Sequence, residues 1–115
     1  MTGTTPLLKP FRFCPQCGSE RFVDNNAQSK RCLDCGLTYY INPKAAVVAL
    51  ITNEQGDILV CRRAKEPARG TLDLPGGFTD LDETAEEAVA REVREETSLI
   101  VTETRYLFSL PNLYT

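Results

Sequence analysis

Apolar and polar positions in this chain alternate in short blocks. Residues 45–52 form a nearly continuous apolar run of the length of a buried strand. Asn53-Glu-Gln-Gly56-Asp57 reads as a turn, and residues 58–61 read as the returning strand of a hairpin. Residues 71–74 predict a short strand that delivers the chain to Pro75 and a Gly76-Gly77 turn. The spacing then becomes helical, with Ala85, Ala88, Val89 and Val93 recurring along one face. Thr84 and Glu87 are spaced as a capping box, so the helix is expected to start near Thr84, with Glu86 and Glu87 at the positive end of its dipole. Beyond it, residues 100–107 are rich in Val, Thr, Tyr and Ile and predict another strand, and residues 108–115 begin the next. The first ten residues hold two prolines and no periodicity, so residues 1–11 are expected to be a flexible leader.

With 115 residues, 42% of them hydrophobic, the chain has room for one domain and a small accessory module. Its net charge of −3 exerts no global pull on nucleic acid or acidic membrane. No apolar run approaches the ~18 residues of a spanning helix, and the N-terminal segment lacks the apolar core of a signal peptide. Cytoplasm is the default location, with no membrane partner.

Cysteine spacing adds a second structural unit. Cys14-Pro-Gln-Cys17-Gly18 and Cys32-Leu-Asp-Cys35-Gly36 are two C-x-x-C-G knuckles, with fourteen residues between Cys17 and Cys32. Such a pair reads as a four-thiolate zinc site, each glycine allowing the tight turn that aims backbone amides at sulfur. Two disulfides would need a secreted protein, which nothing here marks, and a redox C-x-x-C would not come as a matched pair. Residues 12–38 resemble a zinc ribbon. With Phe22, Val23 and Leu33 as the apolar residues between the knuckles, the metal should supply most of its folding energy. Arg21, Lys30 and Arg31 are diluted by Glu20, Asp24 and Asp34, so no basic patch for nucleic acid is established. Residues 39–43, with Tyr39, Tyr40 and Asn42-Pro43, are expected to link the ribbon to the domain at 44–115, the aromatic pair serving as an anchor. The fifth cysteine, Cys61, reads as a small buried hydrophobe.

The helix carries the chemistry. Glu92, Glu95 and Glu96 stand at i, i+3 and i+4, within reach of one another on one face. Unmetallated, such like charges cost a helix about 0.2–0.5 kcal/mol per pair, and a divalent cation reverses the sign. A hard, all-oxygen set suits Mg²⁺ or Mn²⁺, and the chain contains no His. Alone, the cluster reads more readily as a solvated helix face, since charge runs are usually exposed surface.

The fixed spacing around the cluster narrows that choice. Gly77, five residues, Glu83, seven residues, then Arg91-Glu92-Val93-Arg94-Glu95-Glu96 resembles the signature of the Nudix hydrolases. One position departs: Ser98 stands where the family has glycine, at a helix end that favours a left-handed turn. The resemblance implies that Glu92, Glu95 and Glu96 hold a catalytic Mg²⁺ or Mn²⁺, with the carbonyl of Gly76 as a further ligand and Glu92 alternatively acting as base. It implies that Arg91 orients a catalytic glutamate and that Glu83 is its salt-bridge partner. Arg62, Arg63 and Arg69, with Lys65, would hold substrate phosphates.

The implied fold is α+β, a Nudix-like α/β/α sandwich preceded by a small zinc ribbon. Residues 44–115 correspond to the N-terminal part of that domain, too short for the whole sandwich. The chain is expected to be an inactive fragment of a longer protein, a homodimer that completes itself being the alternative. The implied activity is metal-dependent hydrolysis of the diphosphate linkage in a nucleoside diphosphate joined to another moiety, such as NADH or ADP-ribose. A ribbon feeding such a domain resembles the NADH pyrophosphatase branch. The competing readings are a non-catalytic sensor that kept the fold and a zinc-ribbon nucleic-acid-binding protein.

Overall fold

The computed structural model describes residues 3–111, and the chain divides into two compact units, Met1–Pro43 and Lys44–Thr115.

In the first unit three antiparallel strands, β1 (Phe22–Asn26), β2 (Ser29–Cys32) and β3 (Thr38–Tyr40), form a meander in sequence order. Its core is small: Cys14, Phe22 and Cys32 are buried, with Leu37 and Tyr39 against them. So small a cluster cannot offset the ordering entropy of some forty residues, which is why the thiol cluster matters to this unit.

Two expectations for this region differ from the structure. Residues 4–11 are tied to the sheet rather than loose. Pro6–Leu8 forms a 3-10 turn capped by Thr5, Leu8 is fully buried, and the Thr5 N–H donates to the Ala27 carbonyl at 2.8 Å. Lys30, itself buried, extends its Nζ to the Phe11 carbonyl at 2.6 Å. The lack of periodicity was misleading because one buried leucine and a few backbone bonds, spread along the segment, create no repeating pattern. Likewise Tyr39 and Tyr40 belong to β3, and Tyr39 stacks on Phe11 with ring centroids 5.5 Å apart. The aromatic pair completes the ribbon's sheet instead of opening a linker.

In the second unit β4 (Ala46–Val48) pairs antiparallel with β7 (Gly76–Phe78), and β5 (Cys61–Arg62) with β6 (Leu72–Asp73). The expected hairpin is present at its tip, where Thr52 bridges Ile58 and the Leu59 N–H donates to Ile51. The regular strands are shorter than the apolar runs that announced them. Cys61 is half-buried in β5 rather than in a core.

Helix α1 spans Ala85–Thr97 and packs on β4 and β7. Both bonds of the capping box are made: the Glu87 N–H donates to Thr84 Oγ1 at 3.1 Å, and the Thr84 N–H to Glu87 Oε1 at 2.9 Å. Ala88 and Val93 are the buried residues of the apolar face, whereas Ala85 remains exposed. The helix ends where Ser98 takes φ 66°, the left-handed turn that glycine usually supplies.

Residues 98–111, expected to include a strand over 100–107, contain neither helix nor strand. β-propensity alone does not make a strand, which needs a neighbour to receive its N–H and C=O groups. Among the described residues no strand pairs with this segment. Half of the strand expected over 108–115, residues 112–115, lies outside the described residues.

Candidate functional site

Two clusters of metal-ligating residues stand in the two units, and their chemistry differs.

The first is the thiol cluster. Cys14, Cys17, Cys32 and Cys35 bring all four Sγ atoms within 4.8 Å of one another, with Cys14–Cys35 and Cys17–Cys32 each at 3.6 Å. A tetrahedron with Zn–S bonds of 2.3 Å has sulfur–sulfur edges of about 3.8 Å. The cluster therefore fits zinc, whereas a disulfide requires sulfurs at about 2.0 Å. The backbone sets this geometry. Gly18 and Gly36 adopt φ of 79° and 81°, and their N–H groups close the knuckles on the carbonyls of Cys14 and Cys32. The N–H groups of Gln16 and Cys17 then point at Cys14 Sγ, and that of Cys35 at Cys32 Sγ, at 3.4–3.5 Å. The N–H of Cys35 above all, working against burial, brings the Cys32 thiol down to about 6, so it favours the thiolate a metal takes.

The second cluster is centred on Arg91, which α1 projects toward the turn before it. Its Nε lies 2.7 Å from Glu83 Oε2 and its Nη2 2.9 Å from Glu83 Oε1, a two-point pair. Nη2 also donates to the Phe78 carbonyl at 3.1 Å. Nη1 donates to Glu92 Oε1 at 2.8 Å and spans both oxygens of Glu95 at 3.4 and 3.3 Å. The side chains of Glu83 and Glu92 are each only 14% exposed. The Arg91 guanidinium, helped by the N–H of Asp80 at 2.8 Å, holds the Glu83 carboxyl down to about 2. The same partners, Glu83 first, push Arg91 further up, so both remain charged.

Glycines make room for this arrangement. A Cβ on Gly77 would stand 2.6 Å from the Glu92 carboxylate. A Cβ on Gly76 would stand 2.2 Å from the Val47 carbonyl oxygen of β4. At the second position the neighbouring strand's backbone excludes a side chain, whereas at the first a Cβ would displace the Glu92 carboxylate.

Glu92, Glu95 and Glu96 share one side of α1, as their spacing predicts, but do not meet at a point. Among the described residues no trio of carboxylates brings its oxygens within 4.8 Å of one another. Glu92 and Glu95 are joined through Arg91, while Glu96 turns to the N–H of Gly76 at 3.1 Å. Each long, flexible acid goes to its nearest N–H donor. Gly76 thus meets the cluster through its amide, and its carbonyl lies on the same edge of β7. In chemistry this donor set, all oxygen and hard, is of the kind Mg²⁺ or Mn²⁺ takes, with its carboxylates here divided between Arg91 and Gly76.

The arginines of the 62–69 segment make contacts with their own loop and β6. Arg62 Nη1 donates to the Gly70 carbonyl at 2.6 Å, and Arg63 Nε to Pro67 at 2.8 Å, with its Nη1 3.6 Å from Asp73. Both brace their own loop. Arg69 is exposed, and its backbone N–H rests on Glu66. Sequence reasoning passed over Asp80, which lies 3.3 Å from Arg91 and steadies Glu83. It also passed over the Phe78 carbonyl. The only signal for Asp80 was its place three residues before Glu83.

The family profile described as NUDIX domain matches residues 42–115. The chain belongs to the Nudix family. Over 105 residues it is 34% identical to the NAD-capped RNA hydrolase NudC of Vibrio cholerae, covering 91% of this chain and 38% of that protein. It is 46% identical over 61 residues to the ADP-ribose pyrophosphatase of Methanocaldococcus jannaschii, covering 53% of this chain and 36% of the other. A crystal structure of a NUDIX hydrolase from Nitrosomonas europaea superposes with a TM-score of 0.60 at 35% identity, over 73% of this chain and 49% of that one. The chain thus spans about two-fifths of the length of these curated relatives. Among the described residues no helix is long and apolar enough to cross a membrane.

Proposed function

We propose that this chain carries the metal-binding half of a pyrophosphohydrolase that cleaves the diphosphate linkage of a nucleoside diphosphate joined to a second moiety. The observation that carries the reading is the Arg91 constellation, in which one guanidinium ties Glu83, Glu92 and Glu95 together beside Gly77. An ordinary solvated helix would leave its glutamates to water and would not need a glycine opposite one of them.

Glu92, Glu95 and Glu96 would hold Mg²⁺ or Mn²⁺, which neutralises charge on the phosphoryl oxygens and makes a water nucleophilic. The carbonyl of Gly76 is available from the strand edge. Arg91 positions Glu92 and Glu95, and Glu83 holds Arg91. Glu92 serves as a ligand or takes the proton of the attacking water, and both roles need it where Arg91 holds it. Arg69 and Lys65, both exposed, are the cations offered to substrate phosphates, since Arg62 and Arg63 could reach them only by releasing their loop. The thiol cluster would hold a structural Zn²⁺, as four thiolates leave no open coordination position.

NADH, ADP-ribose and an NAD-capped RNA end share this linkage, and the names of the relatives support ADP-ribose and an NAD-capped RNA end as candidates. The test is hydrolysis of NADH, ADP-ribose, NAD-capped RNA and nucleoside triphosphates with Mg²⁺, by this chain and by a longer form that extends beyond residue 115. The assay is repeated with Glu95→Gln and Glu96→Gln. Loss of turnover in both variants is expected; undiminished turnover in both overturns the assignment.

A further inference from the structure

Arg91 uses its five N–H bonds in two unequal ways. Nε and Nη2 grip Glu83 at 2.7 and 2.9 Å, and Nη2 also reaches the Phe78 carbonyl. This end is braced from behind, because the Asp80 N–H holds Glu83 Oε1. Nη1 sits between the carboxylates of Glu92 and Glu95, close to the first at 2.8 Å and divided between the oxygens of the second at 3.3–3.4 Å. Hydrogen bonds weaken with length and poor alignment, so the contact to Glu95 gives way first.

Charge points the same way. Asp80, Glu83, Glu92 and Glu95 all lie within 4.0 Å of this single guanidinium. One positive charge cannot compensate four negative ones, and a divalent cation arriving at Glu92 and Glu95 competes with Nη1 for the same oxygens.

We infer that Arg91 is a split clamp: its Nε and Nη2 stay on Glu83, while its Nη1 is a resident counter-charge that keeps Glu92 and Glu95 together and releases Glu95 to an incoming divalent cation. This rests on the reading of Glu92 and Glu95 as cation ligands. Arg91 is then a positioning residue with two opposed effects. It prepares the carboxylates for turnover, and it weakens cation binding by occupying part of the site.

That opposition separates the clamp from a purely structural ion pair, whose loss would weaken binding and turnover together. The experiment uses the zinc-loaded 115-residue chain and measures Mn²⁺ binding by electron paramagnetic resonance. Arg91→Gln is expected to bind Mn²⁺ about tenfold more tightly, having lost one repelling charge. Arg91→Lys restores that charge and is expected to bring affinity back to within about twofold of the unaltered chain. Affinity that is unchanged or lower in a folded Arg91→Gln overturns the inference.

Should Arg91→Gln not fold, arginine side-chain NMR on the unaltered, ¹⁵N-labelled chain decides. Saturating Mg²⁺ should loosen rotation at Nη while leaving the Nε proton slow to exchange. Mg²⁺ binding with Nη unmoved overturns the clamp and leaves the functional reading intact. A zinc-loaded chain that binds neither Mg²⁺ nor Mn²⁺ overturns both.

Discussion

The thiol knuckles and the Arg91 cluster solve the same problem, holding like-charged ligands together, by different means. In the knuckles the ligands are short side chains on backbone that two left-handed glycines and inward-pointing N–H groups have already shaped. Four sulfurs therefore stand within 4.8 Å of one another. In the second unit the ligands are long glutamates on a straight helix, and a guanidinium gathers two of them while a strand amide holds the third. Backbone placed the sulfurs, whereas side-chain ion pairing places the carboxylates. The first centre should therefore resist substitution of neighbours and fail only with its metal, while the second should be tunable through Arg91 and Glu83.

The strongest way to break this contrast is to remove zinc. Structural zinc contributes about 10–16 kcal/mol in small thiolate modules, more than a core as small as Cys14, Phe22 and Cys32 can replace. Chelation, or Cys32→Ser, should abolish the NMR dispersion of residues 4–43 and leave the α1 signals in place. A ribbon that stays folded without metal would remove the distinction between the units.

Glu83→Gln tests the second means of assembly. It leaves the proposed ligands untouched but releases the braced end of Arg91, and loss of an outer partner of this kind should lower turnover about 10–100-fold. The same pair gives a pH signature. Glu83 titrates near 2 in the folded chain against 4.5 as a free group, so its contribution to stability is complete above about pH 5 and disappears as pH falls toward 2. The difference in melting temperature between the unaltered chain and Glu83→Gln should therefore be flat near neutrality and shrink across that window.

The two glycines sharpen the picture further. Gly76→Ala would drive a Cβ against the Val47 carbonyl, a strand backbone that cannot step aside, and should destabilise the second unit by about 1–3 kcal/mol. Gly77→Ala presses instead on the flexible Glu92 carboxylate, so it should lower turnover more than melting temperature. The smallest effect belongs to Ser98→Gly. Relieving a left-handed serine at φ 66° should stabilise the helix end by about 1 kcal/mol, read as a modest rise in melting temperature with unchanged turnover.

Much of this molecule was legible in local spacing. The capping box at Thr84 and Glu87, the two C-x-x-C-G knuckles and the alignment of Glu92, Glu95 and Glu96 are set by neighbours within five residues. Helix period and turn chemistry act at that range, so the amino-acid sequence by itself determined them. The family membership follows from the same short-range spacing.

Tertiary structure decided the rest. That residues 4–11 dock through Leu8, that Tyr39 and Tyr40 close a sheet, and that residues 100–107 form no strand all depend on which distant backbone lies alongside. So does the division of the three glutamates between Arg91 and Gly76, because β7 brings its amide to Glu96 only after pairing with β4. A local pattern can state which groups a segment presents. Which of them find a partner is settled by long-range pairing, and hydrogen bonds and ion pairs act only at the few ångströms that folding creates.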